Sequence, residues 1–573
     1  MNAIYSKSFV AAMAFSASAC AFFTACDDDD NLIAADALFR PVLTDDNITS
    51  GIDDNNKPYF IIKWDNYTDA DQYIVSIEAN DGSDTRSVTT SELTCQFDNL
   101  NYDTEYNISI VASNTINGLK SKAFTKVVTS NDYPTKLKTF SSDNIIDTQA
   151  RVTWDESVSY DSIMVYQNSN DSLVTTLKDI QELSSDIIRG LEPKTEYRVE
   201  AYFAGEYMGK KIFKTVASEN YIGVVCDLRS LTEEESLKAI TSGGSYANLV
   251  DSLLKTYPGE DVTIVLQGGV QYKVSGVISQ TDKKVTFVTG LTLNGNAQFI
   301  STGGFSLNSE ENVAAIQFEK IDFIADNYES NYPDGIVAGV AIQKGSRQVF
   351  NLNLTTSTTL DSLIFKGCTF KGYRAIVRQQ GAGTADAHSA INNVVFSDCQ
   401  ANAIGDQGVV TTSNKANAFK NIIISNSTFA NVLTPFDFRS SLENITLNIS
   451  NSTFCYCGTA QLINSAKDAV TVNIDNTIFN GSCDATSANT AGTADYKFYA
   501  NAINQNKIAD NYRLDNYTLA NTGTEEAPAY NELNETTIIS ATDVQAFSNP
   551  AEGDFTVTNA TLIKAAVGDP RWL

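Results

Sequence analysis

The chain repeats one hexapeptide at intervals of 25 residues: Ile424-Ser425-Asn426-Ser427-Thr428-Phe429, Ile449-Ser450-Asn451-Ser452-Thr453-Phe454 and Ile474-Asp475-Asn476-Thr477-Ile478-Phe479. A unit this short, built of alternating apolar segments without a helical period, cannot bury its apolar side alone and must stack on neighbouring units. Looser copies begin upstream, at wider and unequal spacing, at Phe318, Phe365 and Phe396. The repeat predicts a solenoid of constant strands joined by loops of variable length.

Three positions of the unit indicate how it folds. One position carries residue types that tolerate left-handed backbone geometry at a corner, namely Gly367, Asp398, Asn426, Asn451 and Asn476. Stacked asparagines there are expected to hydrogen-bond as a ladder. The next position is small in every copy and is expected to point into the coil, and the phenylalanine two residues later is expected to stack in the interior. Together these positions predict a right-handed parallel β-helix.

From about residue 250 to the end, these residues resemble the pectate-lyase-like β-helix superfamily. A fold-level resemblance says little about chemistry by itself. The pattern divides this half of the chain into a helical N-terminal cap over 219–259, the parallel β-helix over 260–484, and a C-terminal end and cap over 485–573. A cap would cover the open apolar end of the solenoid, which otherwise is an edge prone to aggregation.

The chain ends in Gly568-Asp569-Pro570-Arg571-Trp572. This ending is similar to the C-terminal domain of unknown function of Bacteroidota β-helix lipoproteins, which are often met in polysaccharide-utilisation systems. The resemblance implies a context of pectin-like or other plant and host glycans, and it supplies no catalytic residues. Trp572 is expected to cover the last coil.

A longer repeat of 90 to 91 residues occupies the N-terminal part of the chain. Its two copies share a strand-borne tryptophan and a leucine, threonine and tyrosine at a corner: Trp64, Leu100, Thr104 and Tyr106 in the first, and Trp154, Leu191, Thr195 and Tyr197 in the second. Alternating apolar runs around them predict half-buried strands. The pattern resembles the fibronectin type III sandwich, with one domain over 39–131 and another over 132–218, placed as spacers.

Residues 1–25 resemble a bacterial lipoprotein signal peptide, with a charged start, a short apolar segment and small residues before Cys26. Lipidation of Cys26 would anchor the mature protein through acyl chains alone. The acidic run 27–30 resembles the surface-export signal of Bacteroidota lipoproteins, within an acidic tether over 26–38. These features predict a lipid-anchored protein of the outer membrane that faces the cell exterior.

The composition excludes several classes of function. The chain has 40 Lys and Arg against 69 Asp and Glu, a net charge of -29, and no basic stretch, so nucleic acid is not an expected partner. His388 is the one histidine, which excludes sites that depend on several histidines. It stands alone in a Gly- and Ala-rich loop and is interpreted as a solvated residue and not as a general base. Excess carboxylates leave open a site for Ca²⁺, which prefers hard oxygen ligands.

Outward residues of successive coils line a long lateral groove, about 4.8 Å apart along the axis, which suits a linear polymer. Aligning the repeats places these candidate ligand-groove residues on it: Arg374, Arg378, Asp406, Gln407, Asp437 and Arg439. Arginine pairs bidentately with carboxylates, so the set predicts binding of an acidic, pectin-like sugar. The alternative is that these residues solvate the surface or pair with one another across coils.

The leading interpretation is a surface-anchored polysaccharide-binding lipoprotein of a glycan-utilisation system, acting with other glycan-uptake proteins. The first alternative is an enzyme in the same groove. A polysaccharide lyase is favoured over a glycoside hydrolase, with Arg378 or Arg439 as base and Asp406 and Asp437 as Ca²⁺ ligands. The second alternative is a structural or adhesive protein. Exposed aromatic residues would favour binding, for which Tyr328 and Tyr332 are candidates.

Overall fold

The fold is all-β: two fibronectin type III-like sandwiches are followed by a right-handed parallel β-helix. The computed structural model describes residues 37–241, 247–278, 282–310, 312–337, 339–381, 384, 386–413, 418–438, 443–465, 470–481, 483–484, 488, 496–515 and 519–573. The chain divides into two compact units, one ending at Pro134 and the other running from Thr135 to Leu573.

The first unit contains the first sandwich. One antiparallel sheet is formed by Gln72–Ala79, Thr85–Thr90, Glu105–Ser113 and Phe124–Thr129, and the other by Ile48–Ile52, Pro58–Lys63 and Thr94–Phe97. The repeated tryptophan and tyrosine, Trp64 and Tyr106, are buried in its core. The Tyr106 hydroxyl accepts from the amide of Asn101 at 2.9 Å and donates to Asp84 at 2.9 Å. The tyrosine therefore fixes the corner that precedes its strand, as the repeat predicts.

The second sandwich opens the second unit. Its sheets are formed by Ser162–Gln167, Ser172–Lys178, Glu196–Phe203 and Glu206–Lys214, and by Gln149–Thr153 and Ser185–Arg189. Trp154 and Tyr197 are buried as their counterparts are, and the Tyr197 hydroxyl accepts from the amide of Glu192 at 2.7 Å. Both copies of the long repeat thus form the same antiparallel sandwich.

The rest of the second unit is the solenoid, whose strands stack in parallel columns. The first column contains Val224–Asp227, Val262–Leu266, Lys284–Thr289, Asn312–Glu319, Thr358–Lys366, Ser389–Ser397, Ala418–Ser425, Ile445–Ser450, Val470–Asp475 and Asn504–Ala509. The second contains Ile321–Ala325, Thr369–Lys371, Gln400–Ile404, Thr428–Val432, Thr453–Cys457, Ile478–Asn480, Asn511–Leu514 and Thr536–Ile539. The third contains Gln348–Leu352, Ala375–Gln379, Gly408–Thr412, Phe436–Phe438, Gln461–Ser465 and Lys497–Ala500. Ala297–Leu307 pairs with strands of both the second and third columns and with Gln271–Ile278.

The corner between the first and second columns has the backbone geometry that the repeat predicts. The φ angle is positive at successive corner residues: Lys320, Gly367, Asp398, Asn426, Asn451, Asn476 and Asp510. The Asn476 amide donates to the Asn451 side-chain oxygen at 2.6 Å, and Asn426 donates to Asp398 at 3.3 Å. The predicted ladder is therefore present at these two steps, where a corner amide joins one coil to its neighbour.

The interior positions of the unit are also confirmed. The small residue after each corner is fully buried, as Cys368, Cys399, Ser427, Ser452 and Thr477 show. The ring of Phe454 stacks on Phe429 at 5.2 Å and on Phe479 at 5.6 Å. The rings are nearly parallel and lie one coil apart, so they stack while their strands stay in register. The spacing of the sequence repeat therefore matches the spacing of the stacked rings.

Helix α1 (Glu233–Thr241) and helix α2 (Ala247–Thr256) lie between the second sandwich and the second coil. Ile240 and Val250 are fully buried and belong to the solenoid core. Ser236 hydrogen-bonds Tyr272 at 2.6 Å, side chain to side chain, which attaches α1 to Gln271–Ile278. The helices cover apolar residues of the first coils that would otherwise face solvent.

A buried charge cluster joins the second sandwich to the solenoid. Both Asp147 oxygens, in the sandwich, accept from the Arg229 guanidinium at 2.9 and 3.1 Å, and Asp227 accepts from it at 2.8 and 3.0 Å. The Asp147 side chain is 0% exposed and that of Arg229 is 5% exposed. Arg151 also donates to Asn294 at 2.8 Å. These contacts fix the sandwich against the first coils.

The C-terminal segment lies along the outer face of the second column. Besides Thr536–Ile539 it forms Asp543–Ala546, Phe547–Asn549, Asp554–Val557 and Ala560–Ala565. The Trp572 indole N–H donates to Thr428 Oγ1 at 2.8 Å, and that hydroxyl donates to Asp569 at 2.7 Å. Further coils follow the coil of Thr428, and their strands in this column contain Thr453, Ile478 and Asn511. Trp572 therefore covers the side of an interior coil, and the expectation that it covers the last coil is wrong.

Candidate functional site

The outer face of the third column holds a row of polar residues in strand register. From one coil to the next the row runs Asn351, Arg378, Thr411, Asp437 and Asn464. Neighbouring strands in a sheet are about 4.8 Å apart, so the row spans roughly 19 Å along the axis. Arg378 and Asp437, both predicted from the repeats, are thus two coils apart on one face.

Arg374 and Asp406 form an ion pair at the edge of this row. Arg374 Nε donates to Asp406 Oδ1 at 2.8 Å and Nη2 donates to Oδ2 at 3.3 Å. The two residues belong to successive coils, so this pair follows the alternative in which groove charges pair across coils. Both oxygens of Asp406 are engaged by the guanidinium, which leaves this carboxylate poorly placed to bind a cation.

Arg378 has a different environment. Its Nε donates to Ser413 Oγ at 3.0 Å, and in the part of the chain that the structure describes no carboxylate forms a salt bridge with it. Burial lowers the pKa of the guanidinium, the positive charge of Arg374 lowers it further, and Asp406 acts in the opposite direction. A half-buried cation without a carboxylate in direct contact is a favourable partner for an anionic group.

Two buried acceptors accompany Arg378. Asn351 Oδ1 and Gln407 Oε1 are inaccessible to solvent and accept no hydrogen bond from any described residue. Asn351 is the partner of Arg378 in the strand register, and Gln407 follows Asp406 in the chain. A buried acceptor without a donor costs about 1–3 kcal/mol.

Asp437 is 6% exposed and accepts from the Asn464 amide at 3.3 Å. Arg439, the second candidate base, and Cys26, the candidate lipidation site, lie outside the described residues. Within the described ranges no group of three or more His, Cys, Asp and Glu side chains is arranged to hold a metal ion. The Ca²⁺ site with Asp406 and Asp437 as ligands therefore remains a prediction without geometric support.

The aromatic residues of the long insertion have a structural role. Tyr332 is 2% exposed, and its hydroxyl accepts from the amide of Gln343 at 2.7 Å. Tyr328 packs against it with a ring separation of 5.4 Å. Both belong to the cluster that covers the second column. The expectation that they form an exposed binding platform is wrong, because the insertion folds back onto the solenoid and buries them.

Sequence reasoning missed Asn351, Ser413 and Thr411. Asn351 precedes the first recognisable repeat of its column and lies next to the long insertion, so its spacing to Arg378 follows no constant period. Thr411 and Ser413 are small polar residues whose outward orientation depends on the register of the third column.

No helix in the described part of the chain is long and apolar enough to cross a membrane.

A family model described as "Domain of unknown function (DUF5123)" matches residues 422–572, less than half of the chain. The match begins in Ala418–Ser425, the strand in which the first exact repeat starts, and it ends at Trp572. This agrees with the expectation that the chain ends in a domain of unknown function. No curated protein matches the chain in sequence.

Solved structures that match are arrays of fibronectin type III domains. A two-domain segment of chicken tenascin is 20% identical, with a TM-score of 0.16, over 29% of this chain and 98% of that one. The FN1-FN3 domains of chicken CNTN1 are 16% identical, with a TM-score of 0.15, over 31% and 65%. The central fibronectin-III array of RIM-binding protein is 20% identical, with a TM-score of 0.12, over 31% and 70%. At these values the matches carry no argument about function.

Proposed function

We propose that this chain is a polysaccharide-binding protein and that the outer face of the third column binds an acidic, pectin-like glycan. Tandem sandwiches joined to a β-helix form an architecture of binding and adhesive surface proteins, and function has to be argued from the site. The observation that carries the proposal is Arg378, a half-buried guanidinium with Ser413 as its hydrogen-bond partner and no carboxylate partner among the described residues.

The chemistry of this face complements a uronic acid. The terminal nitrogens of Arg378 offer a planar pair of donors to a sugar carboxylate. Asn351 and Gln407 are partly exposed, and their side-chain amides can form hydrogen bonds with sugar hydroxyls. The row continues to the partly exposed Asn464. Thr411 and Asp437, which lie between Arg378 and Asn464, are only 2% and 6% exposed, so a linear polymer along the axis meets mainly Asn351, Arg378 and Asn464.

The proposed setting is the bacterial cell surface. Lipidation of Cys26 would hold the protein at the outer membrane, with the acidic tether directing it to the exterior and the sandwiches serving as spacers. This position lets the protein capture polysaccharide for other glycan-uptake proteins. The leader and tether residues of the sequence support this proposal.

Binding of polygalacturonate to protein starting at residue 27 tests the function. Gel retardation measures capture, and ultraviolet absorbance of unsaturated products measures lyase activity in the same incubation. Hydrogen bonds to charged groups contribute about 1.5–3 kcal/mol, so Arg378→Ala is expected to weaken binding roughly tenfold to a hundredfold. Lys420→Ala is the matched control, because it removes one exposed positive charge from the first column.

Each outcome is decisive. Retardation of the wild type that Arg378→Ala reduces and Lys420→Ala preserves supports the proposal. Equal loss in both variants indicates non-specific charge attraction and removes Arg378 from the site. Absence of retardation by wild-type protein refutes acidic-glycan binding, and Arg378-dependent absorbance of unsaturated product replaces the binding function with that of a lyase.

A further inference from the structure

A second cleft lies where the second sandwich meets the first coils of the solenoid. Its volume is about 600 Å³, within the range of small-molecule sites. Arg189 and Gly190 line it from the sandwich, and Glu233, Gln267, Gly269 and Asn294 line it from the solenoid and α1. The proposed acidic-glycan site makes no use of these residues.

Gln267 is the polar group that marks this cleft as a binding site. The residue is 6% exposed, and its side-chain oxygen is buried and accepts no hydrogen bond from any residue that the structure describes. Its backbone amide donates to the Tyr272 hydroxyl at 3.2 Å, which fixes the chain at the cleft floor. The Gln267 amide lines the cleft and is nearly buried, and its oxygen has no partner in the described part of the chain. Such an oxygen is a favourable acceptor for a ligand that donates a hydrogen bond.

The floor beside Gln267 is formed by Gly268 and Gly269, which lie in close contact with residues 292–295. A Cβ atom at Gly268 would lie 2.0 Å from Thr292 Oγ1, and at Gly269, where φ is +77°, it would lie 2.8 Å from the Asn294 Cβ. Only glycine fits both positions, because residues 292–295 pack directly against this backbone. Arg151 donates to Asn294 Oδ1 at 2.8 Å and holds that wall in place.

The charges around the cleft select against an anion. Helix α1 starts here, and the first-turn N–H groups of a helix attract negative charge. Residues 233–235, however, are all glutamates, and their carboxylates occupy this end of the helix. Arg189 is a single exposed cation opposite them. An uncharged ligand with groups that both donate and accept hydrogen bonds matches this environment better than a carboxylate or a phosphate.

We propose that this cleft is a second carbohydrate site and that it takes a neutral saccharide of one or two rings. Sugar hydroxyls donate to Gln267 Oε1 and accept from its amide nitrogen and from Arg189. The site is independent of Arg378, because the two lie in different parts of the solenoid and use ligands of different charge.

Saturation-transfer difference NMR on protein starting at residue 27 tests the proposal. The probes are glucose, galactose, mannose, maltose, cellobiose and, as the charged comparison, galacturonic acid, each at 10 mM. At least one neutral sugar is expected to give a saturable signal stronger than that of galacturonic acid. Gln267→Met keeps the side-chain length but removes the hydrogen bonds, and it is expected to reduce the affinity at least tenfold, whereas Lys420→Ala leaves it unchanged.

A thermal melt of each variant distinguishes loss of the site from loss of the fold. Removing an unpaired buried amide is expected to leave Tm of Gln267→Met equal to or a few degrees above that of the wild type. Lost binding with Tm preserved supports the proposal. No signal from any neutral sugar, a stronger signal from galacturonic acid, or undiminished binding by folded Gln267→Met each overturns it, whatever the result with polygalacturonate.

Discussion

Replacing Arg229 by methionine is expected to destabilise the second unit by about 3–5 kcal/mol, the usual cost of removing one partner from a buried ion pair. The magnitude follows from Asp147, whose carboxylate is fully buried and hydrogen-bonded through both oxygens to Arg229. Burial by itself lowers the pKa of the Arg229 guanidinium, but the hydrogen bonds and the negative charges of Asp227 and Asp147 outweigh it and raise this pKa. Without the guanidinium, Asp147 is either charged and uncompensated or must bind a proton.

The structure also predicts that the two partners are unequal. Asp147→Asn leaves Arg229 paired with Asp227, whose side chain is 38% exposed, so its cost is expected to be smaller than that of Arg229→Met. The double variant Arg229→Met with Asp147→Leu removes both buried charges and is expected to recover most of the loss, since apolar replacements of buried ion pairs are often neutral.

Urea unfolding measures these differences, with the fluorescence of Trp154 as the signal. Trp154 is 0% exposed in the second sandwich, and a Trp64→Phe, Trp572→Phe background isolates it. With m of about 2 kcal/mol/M, a 4 kcal/mol loss lowers the midpoint by roughly 2 M. The reasoning fails if Arg229→Met shifts the midpoint by less than about 0.5 M, which corresponds to about 1 kcal/mol, or if Asp147→Asn is the more damaging change.

Three further predictions concern the solenoid and its C-terminal cover. Phe454→Ala removes a ring stacked between Phe429 and Phe479 and is expected to cost about 3–5 kcal/mol in urea unfolding; a loss under 1 kcal/mol would contradict the stack. Asn451→Val and Asn451→Gly both remove the acceptor of the Asn476 amide, but Val is expected to cost about 1–3 kcal/mol more than Gly because φ there is 45°; equal costs would argue against a conformational cause. Burial raises the pKa of Asp569 above its ordinary value of 3.8. The folded protein therefore binds a proton at Asp569 more readily than the unfolded chain does. The stability that this proton contributes is fully present below pH 3.8 and is lost as the pH rises through the raised pKa. Urea midpoints between pH 3.5 and pH 7 are expected to fall more for the wild type than for Asp569→Asn, and parallel curves would show that Asp569 does not contribute.

The repeat predicted the solenoid well because each coil makes the same contacts with the next. A corner residue such as Asn451 meets its counterpart Asn476 at the spacing of the sequence repeat itself. The corner residue, the small residue after it and the phenylalanine all recur at that one spacing. The hexapeptide alone therefore suffices to predict the stacking of the strands in this column. The sandwiches were predictable for a related reason, since their tyrosine corners join residues five positions apart.

The candidate site was predicted less completely. The alignment placed Arg374, Arg378, Asp406, Gln407 and Asp437 near one face, and the structure brings Arg374 and Asp406 together while leaving Arg378 without a carboxylate. The sequence offers no means to distinguish these two arginines, because a pairing across coils depends on which rotamer reaches the neighbouring turn. The long insertion carries no repeat, so the burial of its tyrosines was not predictable either.

The amino-acid sequence by itself determined the architecture: two antiparallel sandwiches and a β-helix with an asparagine corner and a phenylalanine interior. Its determinants are local and recur at fixed intervals. Only the tertiary structure decided what joins and covers these parts, namely the Asp147–Arg229 pair across 82 residues and the Trp572–Thr428 contact across 144. Such contacts occur once and have no period, and their energy depends on burial that exists only after the chain has folded.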